Sequence, residues 1–271
     1  MHMTGTHVLR CLLALGLMIG LVACGSFANC FNSGFAPAAC GGGYRESDVS
    51  SLSQPMATSG EGRWTGTTST GRTVTGLVLE DSSYWLFYSA KNNPNILAGL
   101  VQGTGTSHTG SFGSSNTRDF NLEGAGIRAA TMHGAYTVKK SFDGTIAYVT
   151  GETESFRGTY DGNSVSAPNL TQVAGTYVGL RADNHTITVT VDSTGTLSGH
   201  STDGCTVTGT LSPRIQGNAF RTSVTLKGGA CGTETETLAG VAFYDVETTR
   251  LYSAALNHTR TTSFLFLGVK Q

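Results

Sequence analysis

The chain has 271 residues and a net charge of −1, and only 13% of its residues are charged, against about 25% in an average soluble protein. With no basic stripe, this balance argues against a nucleic-acid partner. Thr, Val, Gly and Ser dominate, and no long segment has the three-and-four apolar spacing of an amphipathic helix, so the composition argues against a helical fold and predicts an all-β one.

Residues 1–23 place Arg10 ahead of an uncharged run, Cys11 to Ala23 (CLLALGLMIGLVA). A membrane-spanning helix needs about 20 apolar residues. This run is too short to span and matches the apolar core of a secretory signal, with a buried N-terminal helix as the alternative. Leu21-Val22-Ala23-Cys24 resembles the bacterial lipobox: a branched apolar residue, a variable one, a small one, then cysteine. The resemblance implies cleavage before Cys24, lipidation of that cysteine and attachment to a membrane through the lipid, each buried CH₂ contributing about 0.8 kcal/mol. Gly25 follows where aspartate would imply inner-membrane retention, so the resemblance favours the outer membrane, in either leaflet.

Residues 24–60 are rich in Gly, Ser and Ala and hold little apolar material. They read as a flexible tether spanning roughly 30 Å. Once Cys11 leaves with the signal and Cys24 carries lipid, Cys30, Cys40, Cys205 and Cys231 remain. An even number in an oxidising compartment predicts disulfides, in sequence order Cys30–Cys40 and Cys205–Cys231. The alternative, a four-cysteine zinc site, lacks the close C-x-x-C spacing.

Two related segments follow, 61–168 and 169–271, with Pro168 marking the boundary. GRWTG (62–66) pairs with GTYVG (175–179), TMHGAY (131–136) with TLAGVAFY (237–244), and SFRGTY (155–160) with SFLFLGV (263–269). All three pairs lie about 105–115 residues apart in the same order, the mark of a duplicated unit. Each copy divides into about eight short strands. In HTITVTVDSTGTLSGH (185–200), Ile187, Val189 and Val191 share one face and Thr186, Thr188 and Thr190 the other. The first copy offers RTVTGLVLE, SYWLFYS, NILAGLVQG, a stretch through His108 to Phe112, RDFNLEG, ATMHGAYTVK, TIAYVT and ESFRGTY. The expected architecture is two tandem antiparallel eight-stranded barrels or sandwiches; a closed barrel leaves no exposed edge.

In the second copy, register sharpens one disulfide. If CTVTGTL (205–211) and AFRTSVTLK (219–227) form a hairpin about Gln216-Gly217, Val207 faces Leu226 and Cys205 faces Gly228. Cys231 then lies about 10 Å further along an extended strand, beyond the ~7 Å a disulfide tolerates between Cα atoms. Gly228-Gly229 must curl the chain back.

Gly62-Arg63-Trp64 resembles the G-x-W that opens the lipocalin barrel, where the tryptophan plugs one end; Tyr177 stands in the matching place of the second copy. The chain as a whole resembles a group of uncharacterised proteobacterial lipoproteins with two β-domains. Transferrin-binding surface lipoproteins are similar in using eight-stranded barrels, a likeness of fold alone.

Motifs for catalysis are weak. GAGIRAA (124–130) satisfies G-x-G-x-x-A, but a strand-like segment follows it where a dinucleotide site needs a helix. GHSTDG (199–204) groups His200, Ser201 and Asp203, yet misses G-x-S-x-G, and neighbours on a hairpin point to opposite faces. His108, His133, His185, His200 and His258 are scattered singly, and the acidic pairs Glu152/Glu154 and Glu234/Glu236 fit a solvated barrel exterior. The aromatic residues say more. SYWLFYS sets Tyr84 and Tyr88 opposite Trp85 and Phe87, and SFLFLGV sets Phe264 and Phe266 opposite Leu265 and Leu267. Strands apolar on both faces are buried on both. Together with Trp64, these aromatics make either the seam between the two domains or a binding face.

The expectation is a lipid-anchored, non-enzymatic envelope protein that binds or supports, without cofactor or catalytic metal. Its partners are the membrane through the anchor and another envelope or host protein. A lipocalin-like carrier of a small apolar ligand is the alternative, and a periplasmic hydrolase the third. Filled barrel interiors favour the first; a cavity of about 300 Å³ or more favours the second.

Overall fold

The computed structural model describes residues 59–231 and 236–271. The signal, Cys24, Cys30, Cys40 and Glu234 therefore lie outside the described residues, as does the tether up to residue 58.

The described chain is almost entirely strand. β1 (Gly62–Thr68), β2 (Thr73–Val78), β3 (Ser83–Ala90), β4 (Asn93–Thr104), β6 (Ser111–Asn121), β7 (Gly126–Thr137), β8 (Ser141–Tyr148) and β9 (Thr153–Tyr160) pair in sequence, antiparallel throughout. β9 returns to β1, Trp64 opposite Tyr160, and closes an eight-stranded barrel. The short β5 (Thr106–His108) is an extra strand hairpinned onto β6. The expected strand through His108 to Phe112 is instead a reversal, because Thr109 and Gly110 both take positive φ there.

A second barrel follows the same plan. β10 (Gly175–Arg181), β11 (Thr186–Val191), β12 (Thr196–Ser201), β13 (Thr206–Pro213), β14 (Phe220–Lys227), β15 (Thr237–Asp245), β16 (Arg250–Leu256) and β17 (Ser263–Lys270) pair consecutively, and β17 closes on β10 at Tyr177–Lys270 and Val178–Val269. The repeated sequence pairs occupy matching places: β1 with β10, β7 with β15, β9 with β17. The crossover between barrels holds a single helical turn, α1 (Leu170–Val173), capped by the Asn169 side chain on the amides of Thr171 and Gln172.

Three apolar clusters follow from the two-residue period of the strands. Trp64, Tyr84, Tyr88, Phe112, Met132, Phe142 and Phe156 fill part of the first barrel. Tyr177, Val189, Leu211, Phe220, Phe264 and Phe266 fill part of the second. The outward faces of β3, β4, β15, β16 and β17 make the third, where Trp85, Phe87 and Leu100 meet Phe243, Tyr252, Leu265 and Leu267. Phe243 stacks on Tyr252 at 4.5 Å, and Phe87 meets both edge-on at 5.8 and 5.5 Å. Arginines rim this seam. Arg63 pairs with Asp161 and reaches the Tyr244 carbonyl; Arg214 pairs with Glu80 and Asp81; Arg260 donates to the Gln102 and Asn116 carbonyls. Both barrels thus belong to one compact unit.

The Cys205–Cys231 disulfide is present, with Cα atoms 5.4 Å apart. Val207 sits opposite Leu226. Gly228 and Gly229 carry φ of 79° and 52°, the left-handed curl that glycine permits.

Candidate functional site

Each barrel is packed at one end and open at the other. In the first, Trp64 closes the packed end: its Nε1 donates to the Gly60 carbonyl at 3.0 Å, and its ring meets Phe142 and Tyr160 edge-on. The opposite end, at the β1–β2, β3–β4, β6–β7 and β8–β9 turns, is a cup of about 430 Å³. Val74, Leu86, Val101, Ile146 and Phe156 form its apolar floor. Above them stands a ring of polar side chains: Thr70, Arg72, Tyr88, Asp119, Arg128, Tyr148 and Glu154.

Asp119 organises that ring. It is fully buried, and its Oδ1 accepts from the Tyr88 hydroxyl at 2.7 Å. Its Oδ2 accepts from Arg128 Nη2 at 2.7 Å and the Tyr148 hydroxyl at 3.0 Å. Asn121 Nδ2 donates to the Tyr88 oxygen at 3.1 Å. Gly99 makes room for this arrangement, since a Cβ there would lie 2.2 Å from the Tyr88 hydroxyl. Burial first, and then the charge on Asp119, pushes both phenols well above their usual value, so they stay donors. Burial, the largest influence, would lower Arg128; its hydrogen bond to Asp119 and the pull of Tyr148, Asp119 and Tyr88 together outweigh this and hold it up.

Asp119 faces inward because of a bulge. Opposite β7, β6 carries one extra residue between Ser114 and Thr117. Phe112 and Ser114 point inward before it; Thr117, Asp119 and Asn121 point inward after it.

Each arginine lies over a tyrosine: Arg72 over Tyr88 at 5.5 Å, Arg128 over Tyr148 at 3.8 Å. Arg72 donates to Glu123 at 2.7 Å and the Ser89 carbonyl at 3.0 Å, and Arg128 Nη1 donates to Glu152 at 3.1 Å. Glu154 Oε1 accepts from Thr70 Oγ1 at 2.9 Å, the Thr70 amide at 3.3 Å and Ser69 Oγ at 3.4 Å.

The second barrel has a cup of about 480 Å³, lined by Arg181, Asp183, His185, Ser201, Asp203, the disulfide and Phe264. β4 leads away from the first mouth and β10 toward the second; they pair in parallel at Leu180–Ile96 and Arg181–Leu97, so the mouths open at opposite ends. The Ser201 hydroxyl donates to Asp203, and His185 Nδ1 lies 3.9 Å from the other Asp203 oxygen. This order puts the carboxylate, not the imidazole, against the hydroxyl, which is not the order of a Ser-His-Asp triad. His200, the histidine of the sequence motif, faces outward and is exposed. Gly124 to Ala130 runs through a turn into β7, without the helix of a dinucleotide site. Among the described residues, no three His, Cys, Asp or Glu side chains are grouped to hold a metal.

The seven aromatics expected to make either the seam or a binding face are divided. Trp85 and Phe87 lie in the seam. Trp64, Tyr84, Tyr88, Phe264 and Phe266 lie inside the barrels, since alternate strand residues must point to opposite sides. Of these, Tyr88 reaches the first cup and Phe264 the second. Glu152 and Glu154, read as exterior, line the first mouth. Asp119, Arg72, Arg128 and Tyr148 were not singled out by the sequence at all.

No family model matches the chain, and no curated protein does. A solved structure it is similar to is the isotype 1 transferrin-binding protein B of serogroup B Neisseria meningitidis. The identity is 11% and the TM-score 0.27, over 74% of this chain and 66% of that one, just under two-thirds of its length. The fold rests on the strand pairings above and not on that likeness.

Proposed function

We propose that the protein is a non-enzymatic binding module of the bacterial envelope, whose first barrel holds a small amphipathic molecule in its open cup. The observation that carries this reading is the cup itself: about 430 Å³, an apolar floor, and a polar ring held in place by the buried Asp119. Ligand sites combine these features, at volumes of about 300–1,000 Å³. At about 430 Å³ the cup passes the ~300 Å³ mark that favours a carrier over a module with filled barrels, and its polar ring suits a ligand with a head as well as an apolar body. Fluorescence titration with N-phenyl-1-naphthylamine tests it. One probe should bind per first barrel, and Ile146→Phe, which fills the floor, should weaken binding at least about tenfold. Unchanged binding in that variant refutes the reading.

Envelope attachment belongs to the same proposal and rests on Leu21-Val22-Ala23-Cys24 closing an uncharged run. So does the division into signal (1–23), lipidated tether (24–60) and two domains (61–168 and 169–271), with Cys30–Cys40 closed in the tether. Cys24→Ala should abolish acylation and release the protein from membranes. A variant that still carries lipid and sediments with the outer membrane refutes the anchor.

A further inference from the structure

Each terminal nitrogen of the two guanidinium groups above the cup floor already makes one hydrogen bond and keeps a second N–H. Arg72 spends Nη1 on the Ser89 carbonyl and Nη2 on Glu123; Arg128 spends Nη1 on Glu152 and Nη2 on Asp119. A carboxylate-headed ligand needs a free fork of donors. Here each arginine already has a carboxylate against it, Glu123 on Arg72 and Asp119 and Glu152 on Arg128, so a carboxylate head would be set beside like charge. Lys91 is the remaining cation of the mouth, and it is exposed at the rim. Arg72, Arg128 and Lys91 stand against Asp119, Glu123, Glu152 and Glu154, which leaves the mouth one net negative charge.

Glu154 is the carboxylate with capacity to spare. It comes from β9 beside the inward Phe156, and its three donors all arrive on Oε1. Oε2 is left to take a further donor. An ammonium or amine meeting Oε2 would stand at the mouth of the cup whose floor is Val74, Leu86, Ile146 and Phe156. Resting on the reading of the cup as a ligand site, we infer that it takes an amphiphile with an amine head, the head on Glu154 and the apolar chain on the floor, and that it discriminates against carboxylate heads.

Calorimetric titration of the intact chain with octylamine, octanol and octanoate at pH 7 tests this. The three share a chain and differ in head charge, and octylamine is protonated there as an alkyl ammonium is. Octylamine should bind at least about tenfold tighter than octanol, and octanoate weakest. Glu154→Gln keeps the size and one acceptor and should bring the octylamine-to-octanol ratio to near one. Glu154→Asp, which draws the carboxylate back toward β9, should give an intermediate ratio and serves if the first variant does not fold. Octanoate binding as tightly as octylamine, or a ratio unmoved in the Glu154 variant, overturns the inference while octanol binding keeps the site. Failure of all three to bind, or octylamine binding that Ile146→Phe leaves intact, overturns the site reading along with it.

Discussion

Asp119→Leu removes the one acceptor that serves Tyr88, Tyr148 and Arg128 together. Three hydrogen bonds disappear, two from phenols and one from a guanidinium, all ending on a fully buried carboxylate. Hydrogen bonds to charged groups contribute about 1.5–3 kcal/mol each. The loss is smaller than three such bonds, because Arg128 is 27% exposed, keeps Glu152, and faces an open cup where water re-enters. About 3 kcal/mol is expected, the lower edge of what breaking a buried pair costs. At roughly 2–4 °C per kcal/mol for a body of this size, the melting temperature should fall by about 6–12 °C. Asp119→Asn, which keeps one acceptor but turns an amide N–H₂ toward a donor, should lose about 2 kcal/mol. Differential scanning calorimetry at pH 7 with the disulfide intact measures both. A loss under about 1 kcal/mol in Asp119→Leu would show the polar ring to be hydrated and dispensable, and would refute its role as the organiser of the cup.

Alkali should destabilise the protein: the Tyr88 and Tyr148 phenols are held above their ordinary value of 10, chiefly by burial. Their contribution is therefore whole below pH 10 and declines as the pH climbs beyond it, where the unfolded chain ionises first. Phenolate absorbance that rises fully before unfolding would contradict this. Replacing Cys205 and Cys231 together by serine opens a loop of 26 residues and should cost about 3.5 kcal/mol, read as a shift in urea midpoint. Phe87→Ala empties a seam position only 2% exposed and should cost about 3–5 kcal/mol and split one calorimetric transition into two. A single transition at the parental temperature would show that the seam does not couple the barrels.

Much of the architecture was legible because strands obey a fixed two-residue period. Ile187, Val189 and Val191 announce an inward face, and the common offset of three short motifs announces a second copy. The glycines after Lys227 announce the bend that returns Cys231 to Cys205. The aromatic strands were legible as doubly buried, but not which face met which cluster. SYWLFYS says that Tyr88 and Phe87 are both covered; it does not say that one is covered by its own barrel and the other by the neighbouring barrel. That depends on which strands of each barrel meet, a choice made by contacts far apart in sequence.

The cup was illegible for a more specific reason. In RDFNLEG the apolar residues are Phe120 and Leu122, so alternation assigns both to the core and Asp119 to solvent. Both premises fail at once. Phe120 is buried outside its own barrel, in the seam with the second, so its hydrophobicity marks the wrong side. The extra residue between Ser114 and Thr117 shifts the inward parity of β6 by one, which carries Asp119 into the barrel. A shift of one residue moves every later side chain to the other face, so the bulge places Thr117, Asp119 and Asn121 inside. Without it, Arg128, Tyr88 and Tyr148 would face Arg118 or Phe120 across the cup in place of a carboxylate. Deleting Ser115 alone should leave Thr117, Asp119 and Asn121 inward, in simple alternation after Ser114, whereas deleting Ser115 and Asn116 together should invert the phase and expel Asp119 from the ring. The double deletion should abolish probe binding while the protein retains its strand content by circular dichroism, and the single deletion should keep binding. Retained binding in the double deletion would mean that the polar ring does not depend on the phase of β6, and the bulge would lose its claim to have built the site.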